Sequence, residues 1–98
     1  MQGAFTGKYL RVNLTQGTTA IEEFPELTYR LYMGGAAMAA AILMKELKPG
    51  VDPLGPENVL VVATCPLNGI ALSGTNRYTV AAKSPLTDGY GEGEAGGW

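Results

Sequence analysis

Histidine is absent from this chain and cysteine occurs once, at Cys65. The first absence removes the commonest general base and the commonest neutral metal ligand. The second excludes an internal disulfide and any metal cage built from several thiolates of one chain. Charge is sparse as well: 16% of residues are ionised, with seven basic against nine acidic side chains and a net charge of −2. No basic stripe exists to neutralise a phosphate backbone, so a nucleic-acid partner is not expected. Long hydrophobic runs are also lacking. The most apolar window, residues 33–44, contains a glycine pair and five alanines. It falls short of the ~20 strongly apolar residues of a membrane span. Residues 1–8 lack the apolar run of a secretory signal, and the expectation is a soluble cytoplasmic protein without a membrane partner.

What is present suffices for one small domain. In 98 residues, 46% are hydrophobic, and a chain of this size buries roughly 60–65% of its unfolded surface. Glycine is the exception to an ordinary composition. Its 14 residues are about twice the usual share, and they crowd the end of the chain, from Gly89 to the Gly96-Gly97-Trp98 terminus. No closing strand or helix is predicted there. The expectation is therefore a single, incomplete domain over residues 1–98, ending in a solvated tail or a docking segment.

Hydropathy periods organise the rest. Residues 8–14 alternate Tyr9, Arg11 and Asn13 against Leu10, Val12 and Leu14, as a half-buried strand does. Turn residues at 15–18 lead to a returning strand over 19–24. Pro25 and Glu26 suit a helix start, and Gly34-Gly35 should break the helical pattern. This predicts a short helix over 26–32 and a longer one over about 35–47, stopped by Pro49-Gly50. The alanines of the longer helix would let another backbone approach closely. Residues 51–58 read as loop. The valine-rich run 59–63 reads as a strand buried on both faces, and residues 77–83 as another strand. The sum is an α+β fold with a mostly antiparallel sheet and one main helix.

Few side chains offer chemistry. Ser73, Ser84 and Cys65 have no histidine to activate them, so the usual nucleophile triads are excluded. Cys65, after a buried strand, reads first as a small core residue. Glu22 and Glu23 lie on opposite strand faces. Glu92 and Glu94 share an alternating, glycine-rich stretch that could aim both at one site or simply be solvated. No dinucleotide fingerprint follows a strand and opens a helix, and no phosphate-loop lysine motif occurs. Arg77 is the strongest candidate. It begins a strand after the small-residue run 72–76, beside two hydroxyls, a setting suited to gripping an anionic oxygen. An arginine paired to a local carboxylate is the alternative.

Read in order, several short segments resemble the beginning of the tungsten-containing aldehyde:ferredoxin oxidoreductases. They are Arg11-Val12-Asn13-Leu14-Thr15-x-Gly17, Gly34-Gly35, Lys45-Glu46-Leu47 and Val51-Asp52-Pro53-Leu54-x-Pro56-Glu57-Asn58. Pro66-Leu67-x-Gly69, Arg77-Tyr78, Lys83-Ser84-Pro85-Leu86-Thr87 and Gly96-Gly97 continue the series. The resemblance implies an enzyme several times longer, oxidising aldehydes to carboxylic acids and passing electrons through a [4Fe–4S] cluster to ferredoxin. It implies tungsten, sometimes molybdenum, held by two pterin cofactors of the molybdopterin type. It also implies an α+β N-terminal domain that forms a base beneath the pterins. The family's pterin-binding positions correspond here to Arg77, Glu94, Gly96 and Gly97, with no catalytic residue and no metal ligand in this chain.

The chain departs from the family in places. Family members often read Gly-Gly-Arg-Gly where Gly34-Gly35-Ala36-Ala37 stands. Gly-Pro-Leu-Thr-Gly has become Cys65-Pro66-Leu67-Asn68-Gly69, and Glu94 places a carboxylate beside an anionic cofactor. The resemblance thus yields one expectation: an N-terminal piece of such an oxidoreductase, supplying part of the pterin platform and inactive alone. The other is a freestanding, non-catalytic module that associates with itself as a homo-oligomer, a homodimer in the simplest case, and binds no cofactor.

Overall fold

The structure, a computed structural model, describes residues 6–68 and 70–96. Strands β1 (Lys8–Asn13) and β2 (Thr18–Glu23) pair as an antiparallel hairpin, in register from Lys8↔Glu23 to Asn13↔Thr18. Helices α1 (Glu26–Tyr32) and α2 (Gly35–Glu46) follow. Strands β3 (Val61–Thr64), β4 (Arg77–Lys83) and β5 (Tyr90–Gly96) form a second antiparallel sheet with β4 in the middle. The α+β class is as expected, with two separate sheets rather than one.

Two expectations need correction. The glycine-rich end is a strand through Gly96, not a loose tail; Gly97 and Trp98 lie outside the described residues. Its propensity is poor, but a backbone ladder to β4 from Arg77↔Gly96 to Lys83↔Tyr90 does not depend on side chains. Secondly, β3 is buried on one face only. Val61 and Ala63 point into the core, whereas Val62 is 62% exposed. Helix α2 covers one side of the sheet, and nothing among the described residues covers the other.

The core lies between α2 and the sheet. Ala39 and Leu43 of α2 meet Val61, Ala63 and Ala81, with Ile42, Leu47 and Val59 at the margin. Ala39 is fully buried, so the alanine-rich stretch does allow helix and sheet to close. Burial of a side chain such as Leu43 is worth about 1.5–3 kcal/mol. This core is small and holds no large side chain that is fully enclosed.

The break between the helices has a steric cause. Met33 sits at φ 63, ψ −56, and the Gly34 amide donates to the Tyr32 carbonyl at 2.7 Å. This is a three-residue γ-turn, and the two helices are bent by 119° across it. A Cβ on Gly34 would lie 2.7 Å from the Thr64 carbonyl oxygen and 3.0 Å from Pro66 Cδ. The start of α2 is thereby pressed against the end of β3. Among the described residues, no single helix is long and apolar enough to cross a membrane.

The hairpin is attached through its polar face. Tyr9 stacks on Phe24 at 4.2 Å, and Phe24 meets Tyr29 edge-on at 5.6 Å. Arg11 is hydrogen-bonded to Glu22 on the neighbouring strand and reaches Glu46 of α2 at 2.7 and 3.1 Å. Its guanidinium holds the Glu22 carboxyl below the ordinary carboxylate value.

At one end of β4, an asparagine side chain takes the place of a strand. Asn58 Oδ1 accepts from the Lys83 amide at 3.3 Å, while its Nδ2 donates to the Lys83 carbonyl at 3.0 Å. The same side chain donates to Pro53 O and accepts from its neighbour Val59 N. Asn58→Ala should therefore destabilise the chain by about 2 kcal/mol, the cost of leaving half-buried backbone groups unpaired. Urea unfolding measures this, and a change below about 0.5 kcal/mol would show that Asn58 does not anchor β4.

Candidate anion-binding site

Arg77 opens the central strand, and its backbone is fixed from the β3 side. Its amide donates to Asn68 Oδ1 at 2.8 Å, and its carbonyl accepts from Cys65 N at 3.0 Å. A second asparagine thus pins the other end of β4. Asn68 went unnoticed in the sequence, where it reads only as a turn residue. Its role depends on the intervening loop bringing residue 68 back to residue 77.

Side chains 77, 79, 81 and 83 share the face turned toward α2, since Thr79 and Ala81 are buried there. Direct partners across an antiparallel pair lie on the same face, so Gly96, Glu94, Glu92 and Tyr90 stand beside them in that order. Arg77 is exposed, and its Nη1 lies 4.0 Å from where a Gly96 Cβ would be. The guanidinium therefore lies over a glycine, which leaves the space open. Among the described residues it makes no ion pair, so the local carboxylate partner considered above is not found.

The structure brings Arg77, Glu94 and Gly96 into two adjacent rows, while Gly97 lies outside the described residues. Glu92 and Glu94 do share a face but differ in engagement. Glu92 accepts the Tyr90 hydroxyl at 2.7 Å, whereas Glu94 is exposed and forms no ion pair among the described residues. The small-residue run before Arg77 contributes less than expected, because the Thr75 hydroxyl is used on Leu72 O at 2.8 Å. Cys65 is half-buried, and its sulfur accepts from Leu67 N at 3.4 Å. A shallow depression of about 270 Å³, lined by Glu46, Lys48, Val51 and Glu57, lies at the opposite end of α2 and shares no residue with this site.

A guanidinium fork with no carboxylate partner among the described residues, beside a strand with no side chain at the facing position, can bind and orient an oxyanion. Among the described residues no nucleophile is paired with a base.

Residues 9–98 match the family model described as the aldehyde ferredoxin oxidoreductase N-terminal domain. The chain belongs to that family. It is 40% identical over 92 residues to a tungsten-containing aldehyde ferredoxin oxidoreductase of Pyrococcus furiosus, a match covering 94% of this chain and 15% of that protein. An aliphatic sulfonate oxidoreductase WOR-like subunit from the same organism is 36% identical over 89 residues, 88% of this chain and 14% of its own. Among solved structures, the active-site complex BamBC of benzoyl coenzyme A reductase with 1,5-dienoyl-CoA superposes with a TM-score of 0.91 at 35% identity. That match covers 96% of this chain and 14% of the other. The chain spans about one seventh of the length of the relatives it matches. Within the aldehyde ferredoxin oxidoreductase segments, Gly34 and Asn58 have packing and pairing reasons of their own. The Arg77 side chain makes no ion pair among the described residues.

The Tyr90–Glu92 contact marks how firmly the β5 edge is held. Partial desolvation, and then the hydrogen bond to Glu92 and its charge, push the Tyr90 hydroxyl up to about 12 from its ordinary 10.0. The folded chain holds this proton more tightly than the unfolded one does. Its stabilising contribution is complete below pH 10 and is lost as the pH rises through about 12. The tyrosinate absorbance of the chain minus that of Tyr90→Phe should show this late ionisation. A difference curve centred at the ordinary value would show that the contact does not form.

Proposed function

We propose that the chain is the N-terminal section of a tungstopterin-dependent aldehyde:ferredoxin oxidoreductase, that it contributes part of the pterin-binding platform, and that it does not catalyse alone. The single observation supporting this reading is the Arg77 guanidinium lying over Gly96 with no carboxylate partner among the described residues, in a segment matched by the family. The donor set fits an anionic pterin. Arg77 offers two parallel hydrogen bonds to a phosphate or ring oxygen, and Gly96 lets a bulky ligand approach the backbone. Glu94, one row away, repels the anion and favours its placement at the Arg77 end. When bound, the cofactor supplies the metal centre that oxidises the aldehyde. A chain with one cysteine cannot hold a four-thiolate [4Fe–4S] cluster, so electron transfer to ferredoxin is assigned to other parts of the enzyme. Relatives named for an aldehyde, a sulfonate and a coenzyme A thioester share this domain. That sharing supports a platform that reads the cofactor rather than the substrate.

The reading is tested by titrating the chain with molybdopterin or a pterin phosphate. Arg77→Ala should weaken binding at least about tenfold, the scale of one charge-assisted bidentate contact. Arg77→Lys should fall between the two, because it keeps the charge and loses the fork. No affinity in the unaltered chain defeats the reading.

Self-association is a second reading, favoured by apolar faces that nothing among the described residues covers. Leu10 (63%), Ile21 (73%) and Val62 (62%) are exposed on the two sheets, and contiguous apolar surface of this kind marks an interface. On the first reading, further residues of a longer polypeptide cover these faces; on the second, another copy of this chain does, as a homodimer. Light scattering decides between them. A mass that doubles with concentration supports the pairing, and a monomer at high concentration rejects it.

A further inference from the structure

We propose that Thr79 and the first turn of α2 extend the Arg77 site into a notch for a phosphate-type oxyanion; this inference rests on the anion-binding reading of Arg77. Thr79 is 3% exposed, and among the described residues its hydroxyl makes no hydrogen bond. Buried hydroxyls are nearly always bonded, so an orphan in the core needs an explanation. Among the described residues, no side-chain polar atom that is fully enclosed lacks a partner. The Thr79 oxygen therefore keeps a narrow opening through which a ligand atom can reach it.

The opposite wall is the start of α2, a helix of 12 residues whose cap residue is Gly34 and whose first turn receives no side-chain cap. Its first amides have no partner within the helix and form the positive end of its dipole. Apart from its two chain neighbours and the helix's own backbone, Thr79 Oγ1 is the one heavy atom among the described residues within 4 Å of the point a Gly35 Cβ would occupy, at 3.9 Å. Hydroxyl and helix start are thus close neighbours, separated only by the position that a side chain at Gly35 would fill. Arg77 stands two residues along the same strand face, ~7 Å away by strand rise, within reach of an arginine. Hydroxyl, amides and guanidinium are all donors, and together they suit the tetrahedral oxygens of a phosphate. Glu94, directly across from Thr79, is the acidic neighbour that limits affinity.

The experiment follows the amide NMR signals of Gly35 and Ala36, and the Arg77 side-chain signal, as the chain is titrated with inorganic phosphate and separately with a pterin phosphate monoester. All three signals should move together and saturate at one ligand concentration. Thr79→Val should weaken binding at least fivefold, Thr79→Ser should retain it, and Glu94→Gln should tighten it severalfold. Tighter binding of the monoester than of phosphate assigns the notch to the cofactor's phosphate; equal binding assigns it to a free anion. Movement at Arg77 with Gly35 and Ala36 unmoved overturns this inference and leaves the proposed platform standing. Silence at all three signals with both probes overturns both. The unaltered chain alone decides between these outcomes should Thr79→Val fail to fold.

Discussion

Strand β4 is the constraint on which the rest of the molecule depends. It is the only strand of its sheet paired on both sides, and its inward residues Thr79 and Ala81 receive α2. Its ends are fixed by side chains rather than by further strands. Asn58 holds the backbone of Lys83, and Asn68 holds the amide of Arg77. A four-residue β3 cannot span a seven-residue neighbour, and the two asparagines complete the missing ladder positions at either end. That completion sets where Arg77 leaves the sheet, and so a local pairing rule fixes the position of the residue proposed to face an anion.

The parts of the fold that were legible in the sequence are those with a strong local cause. Alternation of Leu10 and Val12 against Tyr9 and Arg11 marked β1, although the apolar face that the half-buried reading turned inward is exposed and the polar face carries the contacts. Gly34-Gly35 marked the break between the helices, and Pro49-Gly50 fell beyond the end of α2. The parts that were not legible depend on long-range partners. Strand β5 is made from Gly91, Gly93 and Gly96 interleaved with charge, a composition that resembles a tail. It is a strand because β4 offers it an open edge. The same three glycines have the spacing of a dinucleotide-binding loop, yet they lie within a strand, and no helix follows among the described residues. Continuous valine in β3 suggested burial on both faces, although the domain supplies only one layer of helix to cover them.

The candidate site shows the same division. Arg77 was legible because a guanidinium at the start of a strand, after a small-residue run, is already a recognisable anion-binding arrangement. Gly96 was legible only through the family resemblance, since a glycine near a terminus has many explanations. The register Arg77↔Gly96 turns it into a specific feature: the residue facing the guanidinium has no side chain. Asn68 and Thr79 were invisible by the same logic. A turn asparagine and a strand threonine are unremarkable until topology places one on the Arg77 amide and the other opposite Gly35.

The distribution of burial separates holding the fold from holding the ligand. Ala39, Leu43, Val61, Ala63 and Ala81 form the core without help from Arg77, Glu94 or Gly96. The three binding candidates sit on the rim, where β4 begins and β5 ends, and contribute no core contact. Substitution of the arginine should therefore cost little stability, while the guanidinium remains desolvatable only by something outside the described fold. An exposed, unpaired arginine is inexpensive in water. It becomes valuable when a large anion covers it, because screening falls as water leaves and each charge-assisted bond strengthens. The uncovered faces of the two sheets have the complementary property, since apolar surface gains from any partner that excludes water. A rim charge beside a separate core is thus the physical pattern that the proposed platform requires: the core sets its shape, and binding energy is gained only when an anion and further protein exclude water from the rim.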